Sequence, residues 1–306
     1  MSASALAPVA LFVYNRPEHT RQTIEALTSN PEAASTRLYV FSDAAKTDDA
    51  APAVAAIRDY LRTVEGFGHV KIVERDSNFG LARSIIDGVT RLCRDYGRVI
   101  VLEDDLVTSP FFLRYMNDAL HLYEDEEQVM HVSGSAYPVG SFQSNQDTYF
   151  LRVPLCWGWG TWRRAWDKFE KDLSVMQNFD AAMIRSFNFD RTYNYWQQLE
   201  LNQAGKINTW FVFWYAQIFL RNGLSLFPVS SLVKNIGHDG SGVHCGATDL
   251  FEMDLSTRPL MVKVVPVLES TEAFEAHKKY FKRISPSLAN RLVWRVRRFF
   301  SLFFSA

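Results

Sequence analysis

The sequence predicts an α/β fold built on a mostly parallel central sheet, and three observations carry that expectation. Near-continuous apolar runs alternate with helical patterns through the first half of the chain. The runs PVALFVY (8–14), RLYVFSD (37–43), HVKIVER (69–75) and RVIVLED (98–104) read as strands buried on both faces. Strand alternating with helix gives a parallel sheet covered by helices on both sides. Three strand ends are polar: Asn15-Arg16, Ser42-Asp43 and Glu103-Asp104-Asp105. In a parallel sheet they converge on the rim where ligands bind.

The elements follow in order. After the first strand, Pro17 opens a helix carrying Ile24 and Leu27. After the second, Val54, Ile57, Leu61 and Val64 share one helical face. Leu81, Ile85, Val89, Leu92 and Tyr96 line a third helix, closed by Gly97 at a position that favours a left-handed residue. The fourth strand ends abruptly in its three acids. No GxGxxG or Walker A pattern follows the first strand, which argues against dinucleotide oxidoreductases and P-loop enzymes.

Past QVMHVSG (128–134) the character changes. Seven of the eight tryptophans fall between Trp157 and Trp214. CWGWGTWRRAW (156–166) and NTWFVFWYAQIF (208–219) hold most of them, and NIGHDGSGVHCG (235–246) is a glycine-rich loop with His238, Asp239 and His244. Trp210, Phe213, Trp214 and Phe219 suit a buried helix face. Trp157, Trp159 and Trp162 are spaced by glycines that favour a turn, and an indole face stacks well on the apolar face of a sugar ring, so one of them is expected to line a sugar or acceptor pocket. The expected organisation is a first half at 1–135, an aromatic-rich second half of the same domain at 136–270, and a C-terminal basic amphipathic tail at 271–306.

Composition narrows the partners. The 306 residues carry a net charge of −1, which argues against nucleic acid. Three cysteines, Cys93, Cys156 and Cys245, are far apart and form no disulfide framework, so a reducing cytoplasm is expected. The longest apolar stretch, WFVFWYAQIFL (210–220), is too short to span a bilayer. After Glu275 come eight Lys and Arg and no acid. Leu288, Leu292, Val296, Phe299, Phe300 and Phe303 fall on one helical side there, with Arg291, Arg295 and Arg298 largely elsewhere. This reads equally as an interfacial helix on an anionic membrane surface, peripheral on its inner face, or as a helix packed on the catalytic domain.

The acidic triplet asks most for an explanation. A solvated strand-to-loop junction is the ordinary reading of such a triplet. Its place on a ligand-binding rim favours a cation, because like charges repel and unpaired buried carboxylates are costly. Mg²⁺ and Mn²⁺ take oxygen ligands, often one or two carboxylates plus substrate phosphates.

In order along the chain, NRPEHTRQTIEAL (15–27), SNFGLARSIIDGV (77–89), VIVLEDDLVTSPFFLRYMNDAL (99–120), HVSGSAYP (131–138), WGWGTWRRAW and NIGHDGSGVHCG resemble GT-A glycosyltransferases. The resemblance is to the N-acetylglucosaminyltransferase I type and its bacterial sugar-transferase relatives, over roughly residues 8 to 250. It implies a Rossmann-like nucleotide-sugar domain and an acidic DxD-type motif written here as EDD. Asp105 would hold Mn²⁺ or Mg²⁺ on the donor diphosphate, with Glu103 and Asp104 against ribose and sugar. Asp43 would read the base edge, with Asn15, Arg16 and Arg83 beside the nucleotide. His244 would contact metal or diphosphate, although a histidine in a loop is more often structural. The implied reaction moves a sugar from a nucleotide sugar, UDP-linked by preference, to a glycan or lipid-linked acceptor hydroxyl with inversion, as in cell-surface polysaccharide or glycolipid synthesis.

The chain departs from those relatives at the base. Several of them carry an acid near the segment matching NTWFVFW, where Asn208, Phe211 and Phe213 offer none. Asp239 is the substitute candidate, with Glu200 behind it. Two other classes remain open at this point. A metal-dependent nucleotidyltransferase would show a glycine-rich basic phosphate loop that VYNRPEHT lacks. A catalytically weak glycan-binding relative explains the tryptophans without explaining the triplet.

Overall fold

The computed structural model describes residues 6–140, 146–239 and 253–284. In chain order the strands are β1 (Val9–Val13), β2 (Arg37–Ser42), β3 (His69–Glu74), β4 (Arg98–Glu103), β5 (Leu106–Thr108), β6 (Val129–Ser133), β7 (Thr148–Leu151), β8 (Trp159–Trp162), β9 (Leu224–Pro228) and β10 (Val233–Asn235). The α-helices are α1 (Pro17–Thr28), α2 (Ala51–Leu61), α3 (Leu81–Tyr96), α4 (Phe112–Leu122), α5 (Arg163–Trp166), α6 (Ala181–Phe187), α7 (Trp196–Gln203), α8 (Phe211–Leu220) and α9 (Thr271–Ile284).

Eight strands form one sheet in the order β3-β2-β1-β4-β8-β6-β9-β7, and β5 pairs with β10 in a separate ribbon. Strands β1 to β4 are mutually parallel. Strand β8 is inserted antiparallel between β4 and β6, and β7 closes the far edge antiparallel to β9. The sheet therefore continues through both halves of the chain.

Burial on both faces explains the apolar runs. Along β1, Val9, Leu11 and Val13 face one core with Ile24 and Leu27 of α1, Ile57 and Leu61 of α2, and Phe112 and Met116 of α4. Ala10 and Phe12 face the other core with Ile85, Val89 and Leu92 of α3 and Trp166 of α5. Period-two alternation sorts the side chains, and helices on both sides require each set to be apolar. Strand β3 differs from the sequence reading. As the sheet edge it is only half covered, and His69, Lys71 and Glu74 are exposed. Gly97 ends α3 with φ 79°, the left-handed conformation expected of it.

Helix α8 is apolar all round because it is wedged between cores. Trp214 and Ile218 face the α3 side, while Phe213, Tyr215 and Phe219 join a third cluster with Tyr149, Phe187 and Phe281. The predicted burial of Trp210, Phe213, Trp214 and Phe219 holds. Helix α9 buries Ala273, His277, Tyr280 and Phe281, so residues 271–284 of the expected tail pack against the third core cluster. Residues 285–306, which carry the membrane expectation, lie outside the described residues. No described helix is long and apolar enough to cross a membrane.

Candidate active site

Strand β1 pairs with β2 on one side and β4 on the other, so the strand order reverses at β1. In open α/β sheets this switch point, beyond the carboxyl ends, is where a crevice forms. Phe12 lies level with Glu103 and Val13 level with Ser42. The three polar strand ends are thereby brought to one rim, with the acidic triplet at its centre.

Helix α1 sews the triplet in place. The Tyr14 amide donates to Asp104 Oδ2 at 3.2 Å, and the Thr23 hydroxyl donates to the Asp104 carbonyl at 2.8 Å. Arg16 Nη1 donates to Asp105 Oδ2 at 2.9 Å, with the two side chains 16% and 18% exposed. Directly after the triplet, β5 pairs antiparallel with β10, and the Ile236 amide donates to the Asp105 carbonyl at 2.9 Å. The ribbon thus brings the start of the glycine-rich loop onto the acids. At Gly237 a Cβ would fall 2.1 Å from Asp105 Oδ2 and 3.0 Å from Arg16 Nη1, so only glycine lets the backbone pass.

The acids are poorly compensated. Burial, then repulsion from Asp105 and Asp104, pushes Glu103 up to about 8, against the pull of Arg16. Burial and Asp105 push Asp104 up to about 7, opposed by the Tyr14 amide and Arg16. Each acid still keeps part of its surface open. Three carboxylates beside one guanidinium, with the Gly237 backbone passing close to Asp105, suit a hard cation that completes its shell from phosphate and water. Among the described residues no three His, Cys, Asp or Glu side chains form a ready-made metal shell. His244 lies outside the described residues.

The remaining expected residues divide. Asn15 is half-buried on the rim. Asp43 is placed on the rim, but the backbone takes its carboxylate. Oδ1 accepts from the amides of Ala44 at 3.0 Å and Phe79 at 2.8 Å, and Oδ2 accepts from Gly80 at 2.8 Å. Asp43 thereby fixes the loop before α3. Arg83 stacks over Phe79 at 3.8 Å, and Arg75 covers the same ring at 4.4 Å.

Asp239 pairs with His19 of α1, Nε2 to Oδ2 at 3.1 Å, and its side chain is 46% exposed. Glu200 is exposed on α7, which packs on α8 and the turn at 173–178; no described hydrogen bond or ion pair ties its side chain to the acids.

Trp159 and Trp162 correct the pocket expectation, at 1% and 2% exposure. Trp159 stacks on His131 and Trp210, and Trp162 donates from Nε1 to the Leu120 carbonyl at 2.9 Å. Both are core because β8 runs through the middle of the sheet, not along its rim. Trp157, just before β8, is half-buried and meets His238 edge-on, ring centres 5.5 Å apart. Burial lowers the His238 pKa, and the nearby Asp105 charge opposes that shift. Trp157 is therefore the tryptophan beside the acids.

Sequence reasoning missed three features: the His19–Asp239 pair, the Arg16–Asp105 pair and the β5–β10 ribbon. The ribbon had a weak signal in LVT (106–108) and LVKN (232–235), two short β-branched stretches flanking the acids and the loop.

No protein-family model and no curated protein matches the chain. Among solved structures it is similar to a mannosyltransferase, PcManGT from Pyrobaculum calidifontis, in complex with GDP-Man and Mn²⁺. That likeness has 13% identity and TM-score 0.40 over 72% of this chain and 73% of that one. It is also similar to S. aureus TarS, at 13% identity and TM-score 0.31 over 46% of this chain. There it spans about a quarter of the other protein, 24% of its length.

Proposed function

We propose that this protein is a metal-dependent glycosyltransferase that moves a sugar from a nucleoside-diphosphate sugar to an acceptor hydroxyl. One observation carries the reading. Three under-compensated carboxylates stand at the switch point of the parallel strands β1 to β4, beside the returning backbone at Gly237. The ordered resemblance of the flanking segments to GT-A enzymes points to the same chemistry.

Asp105 would hold the cation, with Glu103 and Asp104 facing ribose and sugar. When bound there, a divalent cation would supply Lewis-acid stabilisation of the departing diphosphate. Arg16, bonded to Asp105, and Arg83 would pair their guanidinium groups with the donor's phosphate oxygens. Asn15 borders the nucleotide, and Asp43 keeps the 77–80 loop in shape beside the base. The apolar face of Trp157 offers a platform for a sugar ring.

Asp239 is the general base of this reading. His19 pairs with its carboxylate at 3.1 Å and would orient it to accept the proton of the acceptor hydroxyl as that oxygen attacks the anomeric carbon. The bond to the diphosphate breaks on the opposite side, which inverts the centre. The donor is UDP-linked by preference, the acceptor a glycan or a lipid-linked glycan, and the setting cell-surface polysaccharide or glycolipid synthesis on the cytoplasmic membrane face.

The test is a panel of UDP-, GDP-, CMP- and dTDP-sugars incubated with the protein in Mn²⁺ or EDTA, with donor consumption followed chromatographically. Metal-dependent loss of one donor, accelerated by an acceptor glycan, is the expected result. No consumption of any donor, with or without candidate acceptors, would count against the reading.

A further inference from the structure

Arg16 is the cation whose charge reaches both Glu103 and Asp104, and it also bonds Asp105 directly. It occupies Asp105 Oδ2, an oxygen that a metal on this carboxylate would use. A Cβ at Gly237 would fall 2.1 Å from that oxygen and 3.0 Å from Arg16 Nη1, so only a glycine can pass beside the pair. Arg16 also caps the start of α1, where its carbonyl accepts from the Thr20 amide at 3.0 Å and hydroxyl at 2.8 Å. Its backbone is therefore anchored by bonds that do not involve its side chain.

We propose that Arg16 is a latch that keeps divalent metal off Asp105 until a diphosphate arrives to take its guanidinium. The inference rests on the reading of the triplet as a nucleotide-sugar site, and adds an order of events to it. Without a ligand the guanidinium is the internal counter-ion of the acids. A diphosphate offers the planar guanidinium a doubly charged partner whose oxygens it can bind in a bidentate manner. Its transfer exposes Oδ2, so metal and nucleotide load together and metal alone binds weakly. An inert surface bridge would give no such coupling, since exposed pairs contribute little.

Mn²⁺ binding measured by electron paramagnetic resonance decides it. Wild type, Arg16→Met, Arg16→Gln and Arg16→Met with Asp105→Asn are titrated with Mn²⁺ alone, then with UDP or GDP present. Cooperative thermal melting checks that each protein is folded, and the two Arg16 variants guard against a folding failure in either.

In wild type, UDP or GDP should tighten Mn²⁺ binding strongly. Removing the competing positive charge should tighten binding of Mn²⁺ alone by at least about tenfold. The nucleotide-induced gain should shrink, and Asp105→Asn should abolish the effect. Nucleotide-linked Mn²⁺ binding in wild type with no gain in either Arg16 variant would overturn the latch alone. Absence of Mn²⁺ binding in every protein, with and without UDP and GDP, would overturn the site reading and the latch together.

Discussion

Two regions of this molecule bury ionisable side chains, and they do so in opposite ways. At the middle of the sheet His131 is fully enclosed and fully satisfied. Its Nδ1 accepts from Trp214 Nε1 at 3.1 Å, which leaves Nε2 to donate to the Leu155 carbonyl at 3.1 Å, and its ring stacks on Trp159. Burial holds it neutral, with its pKa lowered to about 3. At the rim of the same sheet, Glu103, Asp104 and Asp105 share one guanidinium. The difference separates the two uses of a buried polar group. A satisfied one specifies a core, and an under-compensated one at a crevice is poised for a ligand.

If that contrast is right, rim substitutions should cost function and interior ones stability. The largest effect is expected at Asp239. Asp239→Asn keeps the side chain's size but cannot accept a proton, and should lower turnover by roughly 10²–10⁴-fold with donor affinity nearly unchanged. Glu200→Gln, on the exposed face of α7, should leave turnover within a few-fold of wild type. The reverse ranking in steady-state kinetics would move the base to Glu200.

The tryptophans give the next test. Trp159→Ala should destabilise the fold by about 3–5 kcal/mol, the usual cost of emptying a large core site. Trp157→Ala should cost clearly less stability while weakening sugar or acceptor binding. Equal losses of stability in denaturant unfolding would erase the distinction between rim and core.

A smaller, graded effect comes from pH. His277 of α9 is also wholly buried, donating from Nδ1 to the Ala273 carbonyl at 2.7 Å, and burial lowers its pKa to about 4. Both histidines are neutral when folded and take up protons near pH 6.5 when unfolded. Their contribution is complete above pH 6.5 and is lost as pH falls toward 4 and then 3. The loss is about 1.4 kcal/mol per pH unit for each. His277→Phe should fit the aromatic cage of Tyr137, Tyr149, Phe227 and Phe281. It should make the decline between pH 7 and 5 visibly shallower than in wild type. Equal slopes would show that His277 is not buried neutral.

Much of the frame was legible in the sequence, because burial on both faces writes itself as unbroken apolar runs. The four runs match β1 to β4 to within a residue or two, and their polar ends meet as expected. The edge position of β3 was hidden, since HVKIVER is apolar enough to pass for a central strand. The insertion of β8 in the middle of the sheet was hidden too. WGTW resembles a glycine-loosened loop, so Trp159 and Trp162 stood beside Trp157 as candidates for the pocket. Contacts such as Arg16 with Asp105, 89 positions apart, or His19 with Asp239, depend on how β1, β4 and the β5–β10 ribbon meet. Periodicity reports which face a residue occupies and cannot report which distant residue shares it.

The central claim is that the acids at the carboxyl end of β4 bind a nucleoside diphosphate together with a divalent cation. Isothermal titration of UDP and GDP into wild type and Asp105→Asn, each in Mn²⁺ and in EDTA, tests it most directly. The account predicts binding of at least one nucleotide by wild type in Mn²⁺, its loss in EDTA, and its loss in Asp105→Asn with an unchanged or higher melting temperature. Nucleotide binding that survives both EDTA and Asp105→Asn would contradict it.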